Sequence, residues 1–512
     1  MTCRPQFGAL PPFTIEIEAA GTTVPGLHSF AMAQSGSRWL IIGGRTNGLH
    51  GFSSNDAFPT QYANNEVVVI DTTNWQYWTS SLSALPYSMA DPLRSTNMQF
   101  FQDSAYLYMV GGYGFDSILY DNRTFPTITA LHVDNLINAV IAGTPIAPHI
   151  RQVVNNNLRV CGGELFRLGT DYYLVFGHDF QGTYTNPPTP YFTQVYTNQV
   201  RRFTLYDNGT TLTVSNFTYY TDTAQYHRRD LNVFPVVNPD ESFSIGCYGG
   251  VFRTDAQLPF LNPVYISDTG ISIHPYQQVM SHYTSAGIPL FDTATKKMYT
   301  VFLGGISLYD YDPLTNTVAV DSLVPFISDV TTLTKHANGN IEERVMPVQL
   351  PGLLGSNAEF VPAGNISLYP NGTIRFRDFP NQRTLIGYLY GGIRANAPNI
   401  PLTWANDTVY RIYLTPDFSV SSPRANLDIE LLTLYPNPAQ ENITLQFKIN
   451  KEREVSTEIY NAQGQSVACT PAKNYPAGHH MMPVGLAGLS PGIYFLKLST
   501  GHDYRVISFI KR

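Results

Sequence analysis

One short pattern recurs six times before residue 400: an apolar run that ends in a glycine pair or a close variant of it. Another apolar run precedes each copy, and a third follows most copies and ends near an Asp or Asn turn. The copies occupy residues 39–44, 107–112, 173–178, 246–250, 301–305 and 387–392. Glycine tolerates positive φ angles and close backbone approach, so the pair marks a crowded point in a repeated β-rich unit.

Four strands in each unit, repeated around a ring, make a β-propeller, and the fold class we predict is therefore all-β. The unit resembles a kelch repeat, most clearly in the first copy, where VVVIDTTNWQYW follows the glycines. This resemblance implies a six-bladed kelch-like β-propeller over residues 1–420, with loops that absorb spacings wider than a period of about 50 residues. An irregular pair of β-sandwiches with chance glycine pairs is the alternative. The second positions of the pattern are Gly44, Gly112, His178, Gly250, Gly305 and Gly392.

The two ends of the predicted propeller have matching strands. Residues 14–18 alternate apolar and polar side chains before the first unit, and residues 408–414 do the same after the last. Pairing them closes the ring and removes two open sheet edges. We therefore predict that the N-terminal strand 14–18 completes the last blade.

The C-terminal segment consists of short alternating strands separated by Pro-Asn-Pro, Asn-Ala-Gln-Gly and Ser-Pro-Gly turns. With YPNP, IYNAQGQ and LSPGIYFLKL in that order, residues 428–512 resemble the type A C-terminal sorting domain of type IX secretion substrates. The motif residues are Tyr435, Pro436, Asn437, Pro438, Gly464, Gly492 and Tyr494. An ordinary C-terminal binding module is the alternative.

The resemblance implies a small β-sandwich that directs the protein through the periplasm to the cell surface or the medium. Its implied partners are the type IX translocon and a sortase that removes the domain, with release or attachment to lipopolysaccharide. Residues 421–427 are predicted to be the linker, with sortase cleavage in the polar stretch 419–426. No signal peptide follows Met1, so we expect that a secretion signal was removed before this numbering begins.

Composition excludes several function classes. The net charge is −7 and there is no basic cluster, so nucleic acid is not an expected partner. No apolar run is long enough to span a bilayer. The four cysteines lack metal-ligand spacing, and we expect them to be buried free thiols. A disulfide between Cys161 and Cys247 is the alternative. We predict no metal and no cofactor.

Enzyme motifs such as GxSxG, HExxH and the P-loop are absent, and we predict no catalytic residues. Long loops rich in aromatic residues follow five of the glycine pairs, on the face where cationic residues enter each next unit. This face suits a glycan or a protein epitope, so a binding module is the first hypothesis. The alternative is a kelch enzyme for an acidic sugar, similar to sialic-acid mutarotase. The candidate ligand-binding residues are His28, Arg94, Arg159, Arg229, His282 and Trp404.

A further pattern is Asp followed by Ser or Thr and then Ala, Ile, Leu, Met, Thr or Val. It resembles the O-glycosylation acceptor of bacteria that use type IX secretion, although Asp-Thr turns at strand ends are the plainer interpretation. The candidate acceptors are Thr72, Ser104, Ser117, Thr223, Thr293, Ser322 and Thr408.

Overall fold

The computed structural model describes residues 2–3, 7–51, 56–184, 191–256, 258–313, 315, 317–399, 402–418, 429–462, 465–500 and 504–512. The described chain is all-β in class, with many small sheets. It divides into two compact units, Met1–Val420 and Ser421–Arg512. The predicted linker 421–427 and the predicted cleavage stretch 419–426 lie outside the described residues.

The main sheets of the described first unit are six, each built on four antiparallel strands, and we number them sheet 1 to sheet 6 in chain order. Sheet 1 consists of Ala31–Ser35, Arg38–Ile42, Glu66–Asp71 and Gln76–Ser81. Sheet 2 consists of Gln99–Asp103, Tyr106–Val110, Thr127–His132 and Ile150–Val154. Sheet 3 consists of Glu164–Leu168, Asp171–Val175, Gln199–Asp207 and Leu212–Thr221.

The later sheets repeat this order. Sheet 4 consists of Asn232–Val237, Phe243–Tyr248, Val264–Ser267 and Gly270–Ile273. Sheet 5 consists of Ala286–Asp292, Lys297–Ile306, Phe326–Lys335 and Ile341–Gln349, with Ile374–Arg375 on its edge. Sheet 6 consists of Leu353–Pro362, Thr384–Ala395, Thr408–Pro416 and Phe13–Thr23, and Thr403–Ala405 also pairs with its second strand.

Sheet 6 takes three strands from the end of the unit and one from its beginning. The strand Phe13–Thr23 runs antiparallel to Thr408–Pro416, with Ile17 opposite Ile412. Its side chains alternate in burial, since Phe13 and Ile15 are buried while Thr14 and Glu16 are exposed. The N-terminal strand is therefore held by the core on one face and by an antiparallel ladder that is continuous from Phe13 to Ala19 and irregular before Thr23.

Each sheet packs on the next through buried apolar side chains. Separate clusters join sheets 1 and 2, 2 and 3, 3 and 4, 4 and 5, and 5 and 6. Another cluster joins sheet 6 to sheet 1, where Trp39 and Ile41 pack against Val361, Tyr390 and Val409. Trp39 is fully buried in this cluster, so the contact between the last and first sheets belongs to the core.

A set of six residues, which we name the central ring, lies just before the first strand in sheets 1 to 5 and within the first strand in sheet 6. All six have φ between +50° and +65°. Five backbone N–H to O=C bonds of 2.6–3.4 Å link them in sequence, including Ser29 to Asn357, which joins sheet 1 to sheet 6. The central ring consists of Ser29, Asn97, Gly162, Asp230, Thr284 and Asn357.

The loops form further structure. Tyr113–Asp116, Asp121–Thr124, His178–Gly182 and Phe192–Tyr196 make one four-stranded sheet from loops that follow sheets 2 and 3. Thr2–Cys3, Tyr309–Asp312 and Thr317–Val320 make a three-stranded sheet. The two described α-helices are Tyr87–Leu93 and Val133–Ala142.

The second unit has two sheets around one core. One sheet contains Ile429–Tyr435, Asn442–Ile449 and Gly478–Gly485. The other contains Ser466–Tyr475, Arg453–Asn461, Gly492–Ser499 and Tyr504–Lys511. Buried residues of both sheets, including Phe447 and Leu496, form a single cluster, so this unit has a hydrophobic core of its own.

Ile15→Ala should lower the free energy of unfolding by about 2–5 kcal/mol, because it removes a buried side chain from the cluster between sheets 5 and 6. The control is Glu16→Ala on the next residue, whose exposed ion pair with Arg383 is worth at most about 1 kcal/mol. Chemical denaturation of the full chain measures both. Equal effects of the two substitutions would contradict a core role for the N-terminal strand.

Candidate functional site

The first unit contains a cavity of about 590 Å³, which we name the upper cavity, with central-ring residues in its lining. Every sheet also contributes a pair of lining residues. One residue of the pair directly follows the glycine pair, the other directly precedes the central-ring residue, and the two form a β-bridge. The repeated backbone thus gives these side chains a common location. The pairs are His28–Arg45, Thr96–Tyr113, Cys161–His178, Arg229–Val251, Tyr283–Ile306 and Ser356–Ile393.

The glycine pairs allow the backbone to reach this location. Gly43 and Gly44 have φ of +71° and +81°, where side chains are strained. A Cβ atom on Gly111 would lie 1.9 Å from the carbonyl oxygen of Val160. The pairs are therefore fixed by the close approach of each sheet to its neighbour.

In sheet 3 the pair is Phe176–Gly177, with φ of +56° and +83°. The assignment of His178, from the sequence, to the second position of the repeat is therefore wrong by one residue in this sheet, because the position belongs to Gly177. His178 instead occupies the cavity position that Arg45 holds in sheet 1.

Arg45 is 5% exposed, and no carboxylate among the described residues forms an ion pair with it. Its Nε donates to Asn47 Oδ1 at 3.1 Å and its Nη2 donates to the carbonyl oxygen of Pro59 at 2.8 Å. The guanidinium carbon lies 5.4 Å from the ring centre of Phe58. Burial lowers the pKa of Arg45 to about 10, which leaves it charged at neutral pH.

Arg229 differs from Arg45 because it has a counter-charge. Asp230, the single acidic residue among the described cavity-lining residues, lies 3.2 Å from its Nε. Burial alone would lower the pKa of Arg229, but the Asp230 carboxylate raises it above its ordinary value. The cavity lining therefore keeps one uncompensated positive charge, at Arg45.

Aromatic rings form one wall of the upper cavity. His50 stacks on Phe58 with 4.2 Å between ring centres and on Tyr184 with 5.3 Å. Tyr113 packs edge-on against Phe58 at 4.8 Å, and its hydroxyl donates to the carbonyl oxygen of Gly182. Flat apolar faces beside a guanidinium are typical of a site for a ring-shaped anion.

The nucleophile and imidazole candidates in the cavity are unactivated. Burial raises the pKa of the Cys161 thiol to about 12, so it is a thiol at neutral pH. Burial and Arg45 lower the pKa of His28 to about 3. His178 is also neutral, since burial and Arg229 hold its pKa well below the ordinary value, and its Nδ1 accepts from Gln194 Nε2 at 2.7 Å.

Of the six candidate ligand-binding residues predicted from the sequence, the structure brings His28 and Arg229 together in the upper cavity. Trp404 is 43% exposed at a sheet edge, with the Arg394 guanidinium 5.8 Å from its ring. His282 is fully buried, bonded to the carbonyl oxygen of Gly304 and to the Thr331 hydroxyl.

The other two predicted cations have local partners. Arg94 pairs with Asp91 at 3.1 Å and its Nε donates to Asn65 Oδ1 at 2.6 Å. Arg159 donates to Asn156 Oδ1 at 3.0 Å, in a separate surface cleft. Both arginines are thus held by neighbouring side chains, and neither is among the residues that line the upper cavity.

Arg45, His50 and His178 line the cavity and were not predicted. A usable signal existed for Arg45, because it directly follows the glycine pair of sheet 1, and the equivalent residue of every sheet lines the cavity.

The candidate glycosylation acceptors lie in different surroundings. Ser104, Thr223 and Ser322 are exposed. Thr72 and Ser117 are partly buried and donate to the carbonyl oxygen of Ser37 and to Asp91 Oδ1. Thr293 and Thr408 are also partly buried. Their modification stays a prediction.

The predicted sorting motif ties together the ends of the second unit. Asn437 Oδ1 accepts from the backbone N–H of Ile510 at 2.9 Å. The Tyr494 hydroxyl donates to the carbonyl oxygen of Ser490, and Gly492 is the first residue of the strand that contains Tyr494. Tyr435, Pro436 and Pro438 lie at the end of the unit's first strand and just beyond it, and Gly464 lies outside the described residues.

Two searches within the described part of the chain give negative results. No group of three or more His, Cys, Asp or Glu side chains there is arranged to hold a metal ion. No helix there has the length and apolar character needed to cross a membrane.

Comparison with known families gives one match, to the secretion system C-terminal sorting domain over residues 433–512. The chain therefore carries the sorting domain of type IX secretion substrates. This domain indicates that the protein passes through the periplasm and is secreted or displayed at the outer-membrane surface, and it implies interaction with the secretion machinery. Curated proteins give no match.

Solved structures give distant likenesses. A fungal alcohol oxidase of the AA5 family, in complex with copper, covers 98% of this chain and 100% of its own, at 9% identity and a TM-score of 0.38. The match to YjhT covers 76% of this chain and 99% of the YjhT chain, at 12% identity and a TM-score of 0.41. The match to PorZ, a type IX secretion component of Porphyromonas gingivalis, covers 94% of this chain and 75% of the PorZ chain, at 9% identity and a TM-score of 0.13. At these scores no functional argument rests on the likenesses.

The buried neutral histidines predict acid sensitivity. Burial lowers the pKa of His282 from 6.5 to about 4, so between these values the unfolded chain binds a proton that the folded chain does not. Stability is therefore lost as the pH falls from 6.5 toward 4, by up to about 1.4 kcal/mol per pH unit for each such histidine. Denaturation of His282→Gln at several pH values should show a shallower loss than the parent. The exposed His479→Gln is the control, and equal slopes for His282→Gln and the parent would contradict this assignment.

Proposed function

We propose that the first unit is a six-bladed kelch-like β-propeller that acts as an exported binding module. Six sheets of four strands, clusters between all successive sheets, and a sixth cluster between the last and first support this proposal. The strand Phe13–Thr23 supplies the fourth strand of the last blade in this arrangement. A propeller leaves its axial cavity accessible to ligands while its loops protect the sheet edges.

The ligand that best fits the upper cavity is an acidic sugar unit, such as one carrying a carboxylate. The observation that carries this proposal is the buried, uncompensated charge of Arg45 beside an aromatic wall. A bound carboxylate would supply the missing counter-charge, and the sugar ring would stack on Phe58 or Tyr184. A cavity of about 590 Å³ lies in the range typical of small-molecule sites.

The acidic sugar would be part of a surface glycan or polysaccharide met after export. The sorting domain supports a location where such glycans are available. Removal of this domain by a sortase, with release or attachment to lipopolysaccharide, is part of the same proposal. Binding, and not turnover, is favoured because Cys161 is protonated and His28 and His178 are held neutral by burial.

Deletion of residues 428–512 should leave the first unit folded but retained in the periplasm, because the second unit has a separate core and carries the sorting motif. Cell fractionation and protease accessibility on intact cells measure the outcome. Normal surface display of the truncated protein would contradict the sorting role.

Arg45→Met should weaken binding of galacturonate about 10- to 150-fold, the effect of losing a charge-assisted hydrogen bond of about 1.5–3 kcal/mol. Isothermal titration with galacturonate and with neutral galactose separates the carboxylate contribution from ring stacking. Arg94→Met is the matched control, since Arg94 pairs with Asp91 away from the cavity.

An acidic-glycan panel that gives no binding at all would reject the proposed ligand class. Loss of affinity in Arg94→Met with none in Arg45→Met would move the site to the outer loops. Conversion of the bound sugar, followed by NMR, would replace the binding module with the enzyme hypothesis.

A further inference from the structure

A second cavity of about 330 Å³, which we name the lower cavity, has all six central-ring residues in its lining. Its other walls come from residues that follow the ring positions along the first strands, such as Phe30, Met98 and Leu231. The upper cavity is instead lined by residues that precede the ring positions. The central ring therefore separates the two cavities.

Two glutamates line the lower cavity from different sheets. Glu164 begins the first strand of sheet 3, opposite Val175, and Glu359 lies in the first strand of sheet 6, opposite Tyr390. Both line the cavity, and the Glu359 carboxylate acts electrostatically on Glu164. Sheets 3 and 6 are three positions apart in the order of six, so the two carboxylates approach from opposite sides.

Neither carboxylate has a partner among the described residues. No ion pair and no side-chain hydrogen bond involves Glu164 or Glu359, and no Lys, Arg or His occurs among the described lining residues. Asp230, the remaining acidic residue in the lining, is already paired with Arg229. Both side chains are partly exposed, so the fold holds two unpaired carboxyl groups in the wall of one cavity. Limited access to bulk water disfavours the charged form of each group.

The pKa values of both carboxyl groups are raised by these surroundings. Burial raises the pKa of Glu359 to about 8. Burial, and then repulsion from Glu359, raises the pKa of Glu164 well above its ordinary value. At neutral pH the cavity therefore holds protons that a bound positive charge would displace.

The walls of the lower cavity are rich in phenyl rings. The negative face of a phenyl ring attracts cations, and rings beside carboxylates are typical of sites for organic ammonium groups. A metal ion is less suited, since no group of three metal-ligating side chains occurs in the described part of the chain. The rings belong to Phe30, Phe100, Phe101, Phe166, Phe234 and Phe360.

We propose that the lower cavity binds a small organic cation, an amine or quaternary ammonium compound, between Glu164 and Glu359. The ligand would balance both carboxylates and pack against the phenyl rings. This site differs from the acidic-sugar site in position, charge and lining, and it does not depend on that proposal.

Isothermal titration of the full chain with 1,4-diaminobutane tests the proposal, with uncharged 1,4-butanediol as the matched ligand. The diamine should bind and the diol should not. Glu164→Gln and Glu359→Gln should each weaken binding at least about tenfold, as expected for loss of a charged hydrogen-bond partner. Glu66→Gln, in sheet 1 and outside the cavity lining, should leave the affinity unchanged.

Proton release provides a second readout on the unmodified protein. Binding of the diamine at pH 7 should release protons, seen as an enthalpy that changes with the ionisation enthalpy of the buffer, and the affinity should rise toward pH 8. Asp230 is the third acidic residue among the described lining residues, and it is paired with Arg229.

Three results would overturn the proposal. They are equal affinity of the glutamine variants and the parent, binding of the diol as tight as that of the diamine, and absence of binding by both the diamine and tetramethylammonium. Glutamate-dependent binding of Ca²⁺ without diamine binding would replace it with a metal site. Because the diamine and diol are compared on the parent protein, the test holds even if a variant fails to fold.

Discussion

The hydrogen bonds of the central ring are the constraint on which the rest of the first unit depends. Five backbone bonds link residues of all six sheets, and the bond from Ser29 to Asn357 connects the first sheet to the last. All six residues adopt positive φ, a conformation that non-glycine residues enter only when their surroundings hold them there. Packing between successive sheets supplies those surroundings, from the cluster around Trp39 to that around Phe13.

This arrangement gives one fold two cavities of opposite chemical character. On one side of the central ring, Arg45 carries an unbalanced positive charge beside His50 and Phe58. On the other side, Glu164 and Glu359 line one cavity, and no Lys, Arg or His occurs among its described lining residues. The backbone positions repeat from sheet to sheet, so ligand preference is set by which side chains occupy the repeated positions. The proposed acidic-sugar and ammonium sites are both consequences of this rule.

The glycine repeat predicted the all-β class, and the YPNP and LSPGIYFLKL motifs predicted the sorting domain, because both are patterns of residues adjacent in sequence. The binding residues were harder to predict because their role depends on neighbours distant in sequence. Arg94 pairs with Asp91 in the adjoining helical turn, but it also donates to Asn65, which is 29 residues away and which the sequence does not reveal as a partner. Glu164 looks like an ordinary polar strand residue, and only its position opposite sheet 6 makes it unusual. The one-residue shift at Phe176–Gly177 arose because His178 was counted as part of the pair.

The central ring can be tested directly by amide hydrogen exchange. If it closes the first unit as described, the amides of Ser29, Gly162 and Asn357 should exchange only through global unfolding, with equal free energies of opening. The amide of exposed Ser104, in a hairpin turn, provides the fast reference. Exchange at Ser29 and Asn357 as fast as at Ser104, with Gly162 still protected, would show that sheets 1 and 6 separate, and would contradict the junction between these two sheets.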